Sequence, residues 1–135
     1  MLPSDPLRPA DHRAYWPQAL PGIEKTLRKT ASSMQPDDVW DALESEEAFL
    51  LLSSDSGVIW YPKVCEYSGE KTFWVWMAWS GPGRNAIAEY QDQISEVAER
   101  AGFDRVAFES PRMGYQRLLD PSWQVATVQY ERRCR

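Results

Sequence analysis

Thr72-Phe73-Trp74-Val75-Trp76-Met77-Ala78-Trp79-Ser80 is apolar on both faces of an extended chain, and this stretch decides the fold. A strand with two apolar faces must be covered on both sides, so it is expected to be the central strand of a sheet with helices on either face. Gly81-Pro82-Gly83-Arg84-Asn85 then forms a flexible loop. Ala86 to Ala101 comes next as an amphipathic helix. Its stripe is Ile87, Tyr90, Ile94, Val97 and Ala101, with Glu89, Asp92, Glu96, Glu99 and Arg100 turned away from it. Gly102 ends that helix, and Arg105 to Glu109 reads as a strand. Strand, helix and strand with short connections make a βαβ crossover, which implies two parallel neighbours in the sheet.

Upstream, Val58 to Tyr67 and Ala48 to Ser53 read as strands joined by the turn Ser54-Asp55-Ser56-Gly57. Pro62 cannot donate to a ladder and should sit at an edge or a bulge. Gln35-Pro36-Asp37-Asp38 opens a helix buried through Val39, Trp40 and Leu43, with Pro in the first turn and acids at the positive end of the dipole. Before it, Tyr15, Trp16, Ala19, Leu20, Ile23 and Leu27 suit a helical face. Pro17 and Pro21 predict a break at Leu20-Pro21 and a helix from Gly22 to Lys29. Residues 1–12 are Pro-rich and read as an N-terminal arm, laid on the surface or loose, leaving 13–135 as one domain. Downstream, Arg112 to Leu119 reads as a short helix and Trp123 to Arg132 as a final alternating strand.

The whole is an α/β chain of 135 residues, the size of one hydrophobic core. It is 43% hydrophobic with seven Trp, too apolar for a disordered chain. Trp74 and Trp76 should share one face of the central strand and Trp79 the other, with Trp40, Trp74, Trp76 and Trp79 as core and Trp60 the most exposed. A net charge of −5 argues against a nucleic-acid partner, whose phosphates need surplus Lys and Arg. One His and two Cys are too few for a metal site. No run of about 18 apolar residues exists to cross a membrane, and residues 1–10 lack a signal peptide's apolar core. Cys65 and Cys134 therefore read as thiols in a reducing cytosol.

This order of elements resembles the GNAT acyltransferase fold over about residues 13–133. Pro21-Gly22-Ile23-Glu24, Asp37-Asp38-Val39-Trp40, Gly102-Phe103-Asp104-Arg105-Val106 and Arg112-Met113-Gly114-Tyr115-Gln116-Arg117-Leu118-Leu119 also resemble small GNAT-like proteins of phage and prophage genomes, virion proteins among them. The resemblance implies an acetyl-CoA cofactor, no metal, and a loop after the central strand that cradles pyrophosphate at the next helix N-terminus. It places the cofactor-binding candidates at Trp79, Ser80, Gly81, Gly83, Arg84, Asn85 and Ala86. That family's loop runs Gln or Arg, two residues, Gly, one residue, Gly or Ala. With Gly83 as the first Gly, Ser80 takes the cationic place and Asn85 the last small place; with Ala86 last, Arg84 replaces the Gly. Neither register matches. The loop reads either as a plain Gly/Pro connection or as an anion nest helped by Arg84.

The family's thiolate acid, a Tyr in the short helix, maps to Leu118 when counted from Gly114, and Tyr115 stands one turn earlier. The central strand holds no carboxylate to serve as base, which leaves Glu66 and Glu109 as candidates. His12 lies in the arm. An intact order of elements beside a failed phosphate loop points to a degenerate acyl-CoA site on a virion-associated or protein-binding factor, with a phage or host protein as partner, in the host cytoplasm or in a virion. The alternatives are an active N-acetyltransferase and an inhibitor whose acidic surface meets a basic host target.

Overall fold

The computed structural model describes residues 5–30, 32–110, 115–128, 130, 132 and 134. The elements in order are β1 (Arg8–Pro9), α1 (His12–Lys29), α2 (Pro36–Glu44), β2 (Phe49–Leu52), β3 (Gly57–Val64), β4 (Lys71–Trp79), α3 (Ala86–Arg100) and β5 (Arg105–Phe108), with a 3-10 turn, Tyr115–Arg117, after them. The five strands lie in sequence order in one mixed sheet. β1 to β4 are antiparallel neighbours, and β5 runs parallel to β4. The expected βαβ crossover is therefore β4-α3-β5. β4 is bonded along both edges, although β3 is the middle strand of the five.

Each face carries its own core. On one side α1 and α2 bury Ala19, Ile23, Val39 and Leu43 against Leu50, Ile59 and Met77. On the other, α3 buries Ile87, Tyr90 and Ile94 against Val58, Phe73 and Val75. Pro62 lies beyond Trp60, the last residue of β3 paired with β2, so the edge position expected of it is available.

α1 runs unbroken through Pro17 and Pro21, against the expected stop at Leu20-Pro21. A mid-helix Pro costs about 3 kcal/mol, but burial of Ala19, Gly22, Ile23 and Leu27 on the sheet outweighs local propensity. His12 is the first residue of that helix rather than part of an arm. Its Nε2 lies 2.6 Å from Glu44 Oε1, which the Arg13 guanidinium also grips at 2.6 Å. The hydrogen bond from Arg13, and then that from His12, hold the Glu44 carboxyl down at about 2. The described residues before α1 are tied down. Tyr90 donates to Asp5 O at 2.8 Å, and Gln93 bonds both backbone groups of Leu7 at 3.0 and 2.7 Å.

β4 does not alternate strictly. Ile59 pairs with Met77 but Trp60 pairs with Val75, so Trp76 is an extra residue, a β-bulge. The bulge resets the faces. Phe73 and Val75 meet α3, whereas Trp76, Met77 and Trp79 all meet the α1/α2 core. Trp79 thus joins Trp74 and Trp76 on one side, correcting the expectation that it points the other way. Trp60 is also corrected: it stacks on Phe73 at 4.1 Å between ring centroids and is partly buried against the α3-side core.

Two downstream expectations change. Residues 112–114 lie outside the described residues, and Tyr115–Arg117 forms one 3-10 turn instead of a helix to Leu119. No strand occurs among the described residues of 123–132, where Val125, Val128 and Tyr130 stay exposed without the burial that holds a strand in register.

Candidate functional site

The parallel pairing of β4 with β5 ends at Val75 and Phe108, yet β4 continues to Trp79. The last four residues of β4 thus have no described strand on that edge, and they lead through the loop 80–85 to the N-terminus of α3. Such a helix end presents unbonded N–H groups and a positive dipole, suited to an anion.

The loop between β4 and α3 is built for a tight turn. Gly83 adopts φ +73, a conformation that favours glycine, and Arg84 N donates to Gly81 O at 3.2 Å. Asn85 caps α3, its Oδ1 accepting from Ala88 N at 3.0 Å, and its Nδ2 donates to the Tyr115 hydroxyl at 3.2 Å. Tyr115 packs edge-on against Phe108 at 4.8 Å. Two candidates from distant parts of the sequence therefore meet at the helix N-terminus.

Arg84 is already engaged. Its Nε and Nη2 donate to the two Glu89 carboxylate oxygens at 2.6 Å each, and Nη1 donates to Asp55 in the β2-β3 turn. The Glu89 contact first, then Asp55, raises the Arg84 pKa, and Arg84 in turn lowers that of Asp55. One guanidinium between two carboxylates leaves the loop at a net charge of −1. The sequence places Glu89 on the solvent side of α3 and Asp55 in a turn 29 residues away, and neither carries a signal of this contact. Ser80 shares a hydrogen bond of 2.9 Å with the buried Ser56, joining the same two loops.

Trp79 is wedged. A β-carbon built on Gly22 of α1 would fall within 3.0 Å of its Cδ1, Nε1 and Cδ2, and one on Gly57 of β3 within 3.0 Å of Cζ2, Cε2 and Cη2. The two glycines form a slot for the indole. Beside it, Gln18, Lys25, Ser54 and Asp55 help to line a cavity of about 230 Å³.

Glu66 lies in the β3-β4 turn. The β3-β4 ladder pairs Gly57 with Trp79 at one end and Val64 with Lys71 at the other, so about 23 Å of strand separates Glu66 from the loop. Glu109 is exposed one residue beyond β5. Ala107 pairs with Trp74, which pairs with Tyr61, so alternation puts Glu109 on the face of those rings. Burial, and then the Glu109 charge, raise the Tyr61 pKa. The candidates divide accordingly. Arg84, Asn85 and Tyr115 gather at the α3 N-terminus, Glu109 sits on the opposite face of the sheet, and Glu66 lies at the far end.

Among the described residues no group of three or more His, Cys, Asp or Glu is placed to hold a metal, and no helix is long and apolar enough to cross a membrane. No family model matches the chain, and no curated protein sequence does. Solved structures do resemble it. An aminoglycoside acetyltransferase from an uncultured soil metagenomic sample, in complex with trehalose, superposes with a TM-score of 0.69 at 10% identity over 97% of both chains. A predicted acetyltransferase from Clostridium acetobutylicum, with acetyl-CoA, gives 0.64 at 9% identity over 96% of both. A GNAT family acetyltransferase from Staphylococcus aureus gives 0.62 at 11% identity over 97% of this chain and 99% of that one. At such identities the likeness is one of fold.

Proposed function

From the GNAT fold that this chain shares with those acetyltransferases, we propose a GNAT-like protein of phage type whose acyl-CoA site is degenerate and which works by binding another protein, as a virion-associated factor. The observation that carries this reading is the capture of Arg84 by Glu89 and Asp55. A diphosphate at the α3 N-terminus would need a free cation there and would meet two carboxylates instead. The loop also lacks the family's spacing of small residues, and β4 carries no acid between Thr72 and Trp79 to take a proton from an amine.

Thermal unfolding with acetyl-CoA tests this reading. A ligand at 100 times its Kd stabilises a protein by about 2.7 kcal/mol, which is several degrees for a domain of this size. The expected result is no shift in the unaltered protein and a gain in Asp55→Asn/Glu89→Gln, which frees Arg84. Stabilisation of the unaltered protein that disappears in Arg84→Glu would overturn the degenerate-site reading.

A second reading, an N-acetyltransferase using acetyl-CoA, has one specific observation behind it. Asn85 holds the Tyr115 hydroxyl at the α3 N-terminus, where a departing thiolate would need a proton. Release of free thiol from acetyl-CoA in the presence of polyamines, abolished in Tyr115→Phe, would favour that reading.

A further inference from the structure

Lys25 and Asp55 bring opposite charges to one cavity. Lys25, half-buried on α1, and Asp55, in the turn between β2 and β3, both line the space of about 230 Å³ beside Trp79. They make no ion pair with each other. Asp55 Oδ2 accepts from Arg84, while Oδ1 accepts the Ser56 hydroxyl at 3.2 Å and, with its two lone pairs, has room for a second donor. Lys25 has no ionic or hydrogen-bond partner among the described residues. The uncharged lining is polar on one part and apolar on another. Gln18 spends its Nε2 on Ser53 O at 2.9 Å and keeps Oε1 as an acceptor. The Trp79 indole N–H has no acceptor among the described residues, and the Gly22–Gly57 slot fixes the ring that carries it. Pro21 and Leu52 add apolar wall.

We propose that this cavity binds a small zwitterion, an amino acid whose carboxylate meets Lys25 and the Trp79 N–H and whose ammonium meets Asp55 Oδ1 and Gln18 Oε1. A lone anion would face the Asp55 carboxylate there, and a lone cation would face Lys25, so each is opposed by one of the two charges. A molecule with both charges, laid head to tail between them, gains two attractions, and its carbon chain rests on Pro21 and Leu52. The space equals that of about eight waters, enough for one molecule of this kind. The cavity is separate from the α3 N-terminus. Trp79 packs with the α1/α2 core, whereas Tyr115, which Asn85 holds, packs with the α3-side core on the opposite face of the sheet. The inference therefore stands whether or not acetyl-CoA binds.

Amide and indole NMR shifts of the isotopically labelled full chain provide the test, with straight-chain ω-amino acids from glycine to 6-aminohexanoate as probes. The series lengthens the distance between the two charges one methylene at a time. One length is expected to bind best and to move the Trp79 indole signal and the amides of Ser54, Asp55 and Ser56 saturably. Butyrate and butylamine, each carrying one of the two charges, are expected to bind at least roughly tenfold more weakly than that amino acid. Lys25→Met keeps the apolar stem and loses the charge, so it is expected to weaken the amino acid by a similar factor, and Lys25→Arg to restore it. No saturable shift at any length, an advantage below tenfold over butyrate or butylamine, or full binding retained in Lys25→Met would each overturn the proposal. Acetyl-CoA titrated separately reports on the amides of Gly83 to Ala86. A shift there sinks the degenerate-site reading, while the amino-acid series decides the cavity by itself.

Discussion

Gly22→Ala tests whether Trp79 is a structural wedge or a side chain free to meet a ligand. Gly22 lies inside α1, where local propensity alone makes Ala better than Gly by about 1 kcal/mol. The added methyl would enter within 3.0 Å of three indole atoms of Trp79. The ring cannot slide away along β3, because Gly57 is in equally close contact with the benzo half. Overpacking of this kind costs about 1–3 kcal/mol, and two-sided confinement places it at the upper end. The net destabilisation is then about 2 kcal/mol, with a melting temperature lower by roughly 6–10 °C. The sign reverses in a Trp79→Ala background, where the slot is empty and only the helix preference remains. Urea unfolding of the four proteins measures both terms in one double-mutant cycle. Gly22→Ala neutral or stabilising in the unaltered background would refute the wedge.

Asn85→Ala removes the α3 cap and is expected to lower stability by about 1 kcal/mol, whereas Asn85→Asp keeps a capping oxygen and loses little; urea midpoints distinguish the two. The Glu44 pair gives a pH signature. Its folded-state pKa, about 2, lies below the ordinary value of 4.5, so the stabilisation is complete above 4.5 and is lost as pH falls toward 2. Arg13→Ala should flatten that part of the stability curve, and urea midpoints measured between pH 5 and pH 2.5 that fall as steeply in the variant would contradict the assignment.

The β4 strand and the crossover after it were legible because a run apolar on both faces, with a 3.6-period stripe behind it, admits few arrangements. The bulge was not. One extra residue at Trp76 inverts the facing of everything after it, and neither composition nor alternation marks where it falls. Pro21 misled for a related reason: its effect is local, while the burial that carries α1 through it comes from strands far along the chain, with Leu50, Ile59 and Met77. At the site, the loop with Asn85 and the Tyr115 candidate came from the resemblance to the GNAT fold, and the capping contact of Asn85 carried no separate signal. The fate of Arg84 could not be read, since a Glu five residues on and an Asp in a distant turn become its partners only when the β2-β3 turn folds over the loop.

The bulge also bears on what the site can do. Under strict alternation Trp79 would project toward α3 with Phe73 and Val75, and its indole would stand beside the loop 80–85. With Trp76 inserted, the indole enters the Gly22–Gly57 slot on the opposite face. The loop then offers a ligand only backbone, Ser80, Asn85 and an engaged Arg84. Salt does not decide whether a diphosphate can displace Glu89 and Asp55, because added ions weaken the existing pairs and the incoming attraction alike. Charge removal does decide it. Asp55→Asn/Glu89→Gln changes the loop from −1 to +1 while leaving every backbone donor in place. Binding gained on that change alone would mean that a site for diphosphate persists in this fold and is held shut by two carboxylates.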